Sequence, residues 1–256
     1  MENRHTMTVE KRCAGCMDTG LLKLLAFVSM LTDHLGAAFF PQIQELRVLG
    51  RIAFPLYLWC AVVGVCCTRN VWRYALRLFL FALLSQPCYM LGLHHRWYEL
   101  NVMFTLLCGL MGIIAVREKK AYSHLWGPVL ALVLSCAVKM DYGWRGVLLM
   151  MLLYAARSSR SAIGAVMTAF CLFWGTSSGT VSDFFSLPLP LSLLNGLPYA
   201  ADLVNAASRL QFMAIWSLPL MLWPRTKRTN LPKALSYAAY PGHLLLLGLI
   251  RLALGM

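Results

Sequence analysis

The sequence predicts an all-α, polytopic transmembrane helix bundle of about nine helices with its N-terminus in the cytoplasm. Three observations carry that expectation. Of the 256 residues, 59% are hydrophobic and only 13% are charged, whereas a soluble domain is about half apolar and a quarter charged. The apolar residues fall in continuous runs of membrane-spanning length rather than in alternating strands. The basic residues sit between those runs, mostly in every second connection.

The runs are approximately 21–40, 47–68, 72–93, 98–116, 124–140, 142–157, 161–175, 208–224 and 233–254. Helices are required because a lipid-exposed backbone must satisfy its own hydrogen bonds. Residues 1–20 are polar and charged, lack the apolar core of a signal peptide, and read as a cytoplasmic tail. Residues 21–256 then form one membrane domain. Its long 176–207 connection holds Asp183, Asp202 and three prolines but no Lys or Arg, and it is placed on the outer side. No internal repeat is visible, which weakens an inverted-repeat transporter.

Orientation follows from the basic residues. Sixteen of the 23 Lys and Arg, among them Lys23, Arg69, Arg73, Arg77, Arg117, Arg157 and Arg225, fall at one set of helix ends. Only Arg47, Arg51, Arg96, Lys139, Arg145 and Arg209 fall at the other, with Arg251 near the C-terminus. The positive-inside rule puts the first set in the cytoplasm. Topology thus accounts for the net charge of +13, and no nucleic-acid partner is expected. Seven of the nine cysteines lie in apolar runs; Cys13 and Cys16 form one CxxC, too little for a metal site.

Polar groups inside such helices are costly and usually face a cavity or a partner. At 1.5 Å per residue, His34 lies about 20 Å from the inner end of the first span, and Gln86 about 21 Å above that of the third. Arg51 and Asn101 lie about 5–6 Å below the outer surface, and His243 about 15 Å into the last span. Asp141 and Arg145 begin the sixth span and Gln211 the eighth. Asp33, His34, Arg51, Gln86, Asn101, Asp141 and His243 therefore share one depth layer, which predicts a polar chamber opening outward. Plainer roles compete with it. Asp33 and Arg51 neutralise each other as a structural pair, Gln86 and Asn101 act as interhelical glue, and Arg73 and Arg77 snorkel at the interface.

Several segments resemble the TraX family in order along the chain. They are Leu24-Leu25-Ala26-Phe27 with Asp33-His34-Leu35-Gly36, Gly50-Arg51-Ile52-Ala53-Phe54-Pro55, and Thr68-Arg69-Asn70. Ser85-Gln86-Pro87, Leu100-Asn101-Val102-Met103-Phe104-Thr105, Asp141-Tyr142-Gly143 and Tyr240-Pro241-Gly242-His243 follow. That resemblance implies a multi-pass protein of the bacterial inner membrane, associated with conjugation and acetylation of a pilin N-terminus. It implies an acetyltransferase that takes acetyl-CoA as donor, needs no metal, and acts on a pilin-like peptide or another amine or hydroxyl acceptor.

Joined to the chamber, the resemblance gives roles to residues. His34 is the first candidate for base or acetyl carrier and His243 the second, with Asp33 orienting His243 or holding Arg51. Arg51, Gln86, Asn101 and Asp141 are candidates for contacting substrate or its oxyanion, and Arg69, Arg73 and Arg77 for the CoA phosphates. A transporter using the Asp/His/Arg group as an ion relay, and a non-catalytic pilus assembly factor, are the competing expectations.

Overall fold

The computed structural model describes residues 13–176, 178–179, 183–184, 187–188, 206–225 and 229–255. Its helices are α1 Thr19–Phe39, α2 Gln44–Gly50, α3 Ala53–Cys67, α4 Val71–Leu93, α5 Val102–Glu118, α6 Ser123–Ala137, α7 Gly143–Ala156 and α8 Arg160–Gly175. A 3-10 helix, Leu210–Ser217, leads into α9 Leu218–Leu222, and α10 spans Lys233–Ala253. Most of the 176–207 connection lies outside the described residues; Asp183–Phe184 and Leu187–Pro188 within it form a two-residue antiparallel pair, β1 and β2.

α3 is the axle. Leu56, Leu58, Trp59, Val62 and Val63 are all buried, as are both faces of the helix around them. A helix apolar on every side belongs in an interior, and α1, α5, α7 and the 3-10 helix pack around this one. The outer helices are two-faced in a different sense. α4 exposes Trp72, Leu76, Leu80, Leu83 and Leu84; α6 exposes Leu125, Trp126, Val129 and Val133; α10 exposes Leu246, Leu249 and Leu252. Apolar belts of that extent are stable against lipid rather than water. Thr19–Phe39, Gln44–Cys67 and Val71–Leu93 are long and apolar enough to cross a membrane. The chain is a membrane protein.

The second predicted span is broken in two at Arg51 and Ile52. Pro55 explains the break: its ring excludes a helical carbonyl four residues earlier, at Arg51, while its missing N–H is harmless in the first turn of α3. The eighth span also departs from a regular helix, running as 3-10 until just before Pro219.

Where the structure describes the expected N-terminal tail, from Cys13 onward, it packs against the bundle. Cys13, Cys16, Met17 and Asp18 are buried. The Ala14 amide donates to the Arg157 carbonyl at 2.7 Å and the Cys16 amide to that of Met221 at 2.6 Å. Trp59 Nε1 donates to the Cys16 carbonyl at 2.9 Å. Asp18 caps α1 at the Leu21 amide, accepts from Thr229 and pairs with Arg225 Nε at 3.0 Å. This stretch closes the bundle at the start of α1, α8 and α10 and the end of α7. Arg117 at the same end donates to the Val65 carbonyl at 2.7 Å, satisfying the last turn of α3.

Candidate functional site

At the opposite end, the last turns of α1, α2, α4, α8 and α10 and the first turns of α7 and the 3-10 helix surround a polar pocket of about 470 Å³. Asp33, His34, Arg51 and Asp141 of the predicted chamber line it. So do Arg47, Tyr89, His95, Tyr142, Arg145, Trp174, Gln211 and Arg251.

His34 and His243 meet. Nδ1 of His34 lies 2.8 Å from Nε2 of His243. The rings are nearly coplanar, 12° apart, with centroids separated by 5.0 Å, an edge-to-edge arrangement rather than a face stack. On its other side, Nδ1 of His243 lies 2.8 Å from the Ala239 carbonyl. A carbonyl only accepts, so that Nδ1 carries a proton and, in the neutral ring, Nε2 is a lone pair. His34 then donates through Nδ1, and its own Nε2 is left unprotonated. Phe27 and Tyr240 meet the His243 ring edge to face at 5.6 and 5.7 Å and hold it in place.

Asp33 orients neither imidazole. Its carboxylate bridges two guanidiniums, Arg51 at 2.5 Å and Arg47 at 3.1 Å, and its carbonyl accepts a second bond from Arg47 at 3.2 Å. It is a positioning residue for the arginines, and the place expected for it beside His243 is taken by Ala239. The close approach needs Gly50, where a Cβ would come within 2.2 Å of the Asp33 Cβ.

Gln86 and Asn101 are not pocket donors, which corrects the oxyanion role expected for them. Both amide hydrogens of Asn101 are committed, to the Ala82 carbonyl and to Gln86 Oε1, each at 2.9 Å. Asn101 Oδ1 caps α5 at the Met103 amide, and Gln86 Nε2 donates to the Glu99 carbonyl at 2.7 Å. They tie α4 to the start of α5. Arg69, Arg73 and Arg77 are exposed at the other end of the bundle.

Asp141 reaches the pocket through an irregular backbone. Tyr142 and Gly143 both have positive φ, 65° and 48°, uncommon for a tyrosine. The turn is fixed by Thr105, which donates to the Asp141 carbonyl, and by the Asp141 amide bonded to the Leu100 carbonyl at 2.9 Å. Tyr142 stacks on Phe54 with centroids 3.7 Å apart and meets Trp174 edge to face. In this connection ahead of α7, burial pushes the Asp141 carboxyl up to about 6, against the pull of Arg51. Alongside, Glu99 joins Lys139 at 2.5 Å and His95 at 3.0 Å, and Lys139 holds its carboxyl down at about 2. His95 in turn stacks on Tyr89.

A family model described as TraX protein matches residues 18–251. The chain belongs to the TraX family. The match takes in every residue of the histidine pocket, as well as Asp18 and Arg225 at the closed end. This TraX-family chain is also similar to an uncharacterized protein of Rickettsia prowazekii (strain Madrid E), with 25% identity over 183 residues and 68% of each chain covered. No solved structure matches it.

Depth arithmetic reaches His34, Arg51, Asp141 and His243 because each interrupts or begins an apolar run. It misses His95, which lies in a connection. It also misses Tyr89, Tyr142 and Trp174, whose rings count as apolar in any hydropathy reading. Arg47, counted only as a flanking charge, is brought in by the short α2.

Proposed function

We propose that this membrane protein transfers an acetyl group from acetyl-CoA to a hydroxyl or amine acceptor in the polar pocket, with His34 as the base. The observation that carries the reading is the ordered chain from the Ala239 carbonyl through His243 to His34. That chain leaves Nε2 of His34, a residue of the pocket wall, as an unprotonated acceptor. Family membership supports the acetyl chemistry and the association with conjugation and pili, and a pilin N-terminus is one acceptor of the required kind.

In this mechanism His34 Nε2 takes the proton of the acceptor as its oxygen or nitrogen bonds to the acetyl carbonyl carbon. The C–S bond then breaks, and the CoA thiolate leaves and is protonated. The positive charge gained by His34 is shared with His243, because the Nδ1 proton can pass to His243 Nε2. General-base assistance of this kind is worth about 10²–10⁴ in rate. Arg47 and Arg51 supply N–H groups toward the oxyanion, at about 3–4 kcal/mol for a well-placed donor.

A second, narrower cleft supports entry of the donor from the other side. Lys23 and Arg77 stand on its wall, and Tyr57, Ser85 and Tyr240 line it further along. Ser85 Oγ is buried there without a hydrogen-bond partner among the described residues, as a site for an amide-bearing arm would leave it. Tyr240 touches His243, so the cleft ends beside the histidine pair. The two cations would meet CoA phosphates; Arg77 fits that role, whereas Arg69 and Arg73 do not line the cleft. With the basic helix ends in the cytoplasm, the donor cleft faces the cytoplasm and the histidine pocket faces outward, in a multi-pass inner-membrane arrangement.

The test is thiol release from acetyl-CoA by protein purified in detergent, with acceptor supplied. Wild type should release CoA in proportion to acetylated acceptor, and His34→Ala should not. Equal release by the two proteins removes His34 from the reaction.

A further inference from the structure

The pocket carries more positive charge than its own carboxylates balance. Arg47, Arg51, Arg145 and Arg251 line it, against Asp33 and Asp141. Asp33 is spent on Arg47 and Arg51. Arg145 and Arg251 make no ion pair among the described residues, and the Nε of each is buried without a hydrogen-bond partner. Arg145 leans on the Trp144 ring, its Cζ 5.3 Å from the centroid, which fixes the guanidinium without neutralising it. A guanidinium fork held beside a low-dielectric wall is costly unless an oxyanion fills it, and carboxylates and phosphates match its geometry.

We infer that the acceptor brings its own oxyanion, a carboxylate or a phosphate, which docks on Arg145 and Arg251 and presents a neighbouring hydroxyl or amine to His34. This rests on the acetyl-transfer reading for the role of His34, but the docking site itself stands on the arginines. An acceptor whose only charge is an ammonium is repelled by the same four guanidiniums. The pocket therefore selects an anionic acceptor, such as a uronic acid or a phosphorylated sugar unit of a surface polymer, or a peptide terminus with an adjacent carboxylate.

Equilibrium binding to the full chain in phosphatidylcholine nanodiscs tests this without needing turnover. The probes are glucuronate, glucose 6-phosphate, glucose and glucosamine, read by calorimetry. Glucuronate or glucose 6-phosphate should bind, and comparing them tells a carboxylate from a phosphate. Glucose and glucosamine should bind at least about tenfold more weakly, the factor expected for one lost charge-assisted bond. The Arg145→Gln, Arg251→Gln double variant should lose about tenfold or more for the anion alone. Arg145→Lys, Arg251→Lys, which keeps both charges, should retain anion binding that weakens with added salt, and this variant decides the matter if the glutamine pair does not fold. Wild type that binds the anion yet releases no CoA thiol when acetyl-CoA is supplied would sink the enzymatic reading and leave the docking site standing. No anion binding, equal binding of glucosamine, or anion binding unchanged in the glutamine variant overturns the inference.

Discussion

His34 and His243, 209 positions apart in the chain, share one hydrogen bond of 2.8 Å, and the Ala239 carbonyl sets its direction. Residues that act as a unit lose function together. His34→Gln should lower the rate of acetyl transfer by about 10²-fold or more. His243→Gln should lower it less, and the double variant should be no slower than His34→Gln alone. Single-turnover rates of the three variants check this; multiplicative losses would mean that the two rings work separately.

Asp33 holds two guanidiniums in a place with little water. Asp33→Asn would leave Arg51 buried without its paired carboxylate, a change that costs about 3–5 kcal/mol when a buried pair is broken from one side. Arg51 and the Asp33 side chain are 7% and 12% exposed, near the condition for the full cost. Thermal unfolding in detergent should show a large loss for Asp33→Asn and a smaller one for the paired replacement Asp33→Leu, Arg51→Leu.

Gly50 makes the same pair reachable. Alanine there would bring its Cβ to 2.2 Å from Asp33 Cβ and 2.4 Å from Oδ1, closer than atoms can pack, so α2 must move away from α1. Gly50→Ala should lower both stability and activity, while Gly164→Ala, where a Cβ meets nothing within 4 Å, should change neither.

Asn101 is a structural latch. Asn101→Ala removes the α5 cap and two bonds to α4, each buried bond lost costing about 1–3 kcal/mol. The unfolding temperature should fall while kcat measured well below it stays near wild type. A loss of kcat without a loss of stability would return Asn101 to the chemistry.

The Glu99–Lys139 contact adds a pH signature. Lys139 holds the Glu99 carboxyl down at about 2 in the fold, below its unfolded value near about 4.3. Its stabilisation is thus present above about pH 4.3 and is lost as pH falls toward 2. Unfolding temperatures of wild type and Glu99→Gln should differ at neutral pH and converge toward pH 2.

Most of the bundle was readable from hydrophobic runs because a lipid environment imposes length and continuity on each crossing. The expected spans 21–40, 72–93, 142–157 and 233–254 differ from α1, α4, α7 and α10 by no more than two residues at either end. The break at Arg51 was not readable from hydropathy, although Pro55 signals it once backbone sterics are considered. The site was legible as a depth layer, but depth says nothing of azimuth. It placed Gln86 and Asn101 level with the histidines without showing that their amides turn toward Ala82 and Glu99. It likewise left open whether Asp33 faces His243 or Arg51, which the angular position of α2 decides.

The packed stretch from Cys13 to Asp18 has an electrical meaning. With that end packed shut apart from the donor cleft, the histidine pocket exchanges protons with the outer compartment alone. The proton taken up by the imidazole pair returns to the outer side while the CoA thiolate is reprotonated from the cytoplasm, so each turnover carries one positive charge outward and an inside-negative voltage across the bilayer should slow it in sealed vesicles.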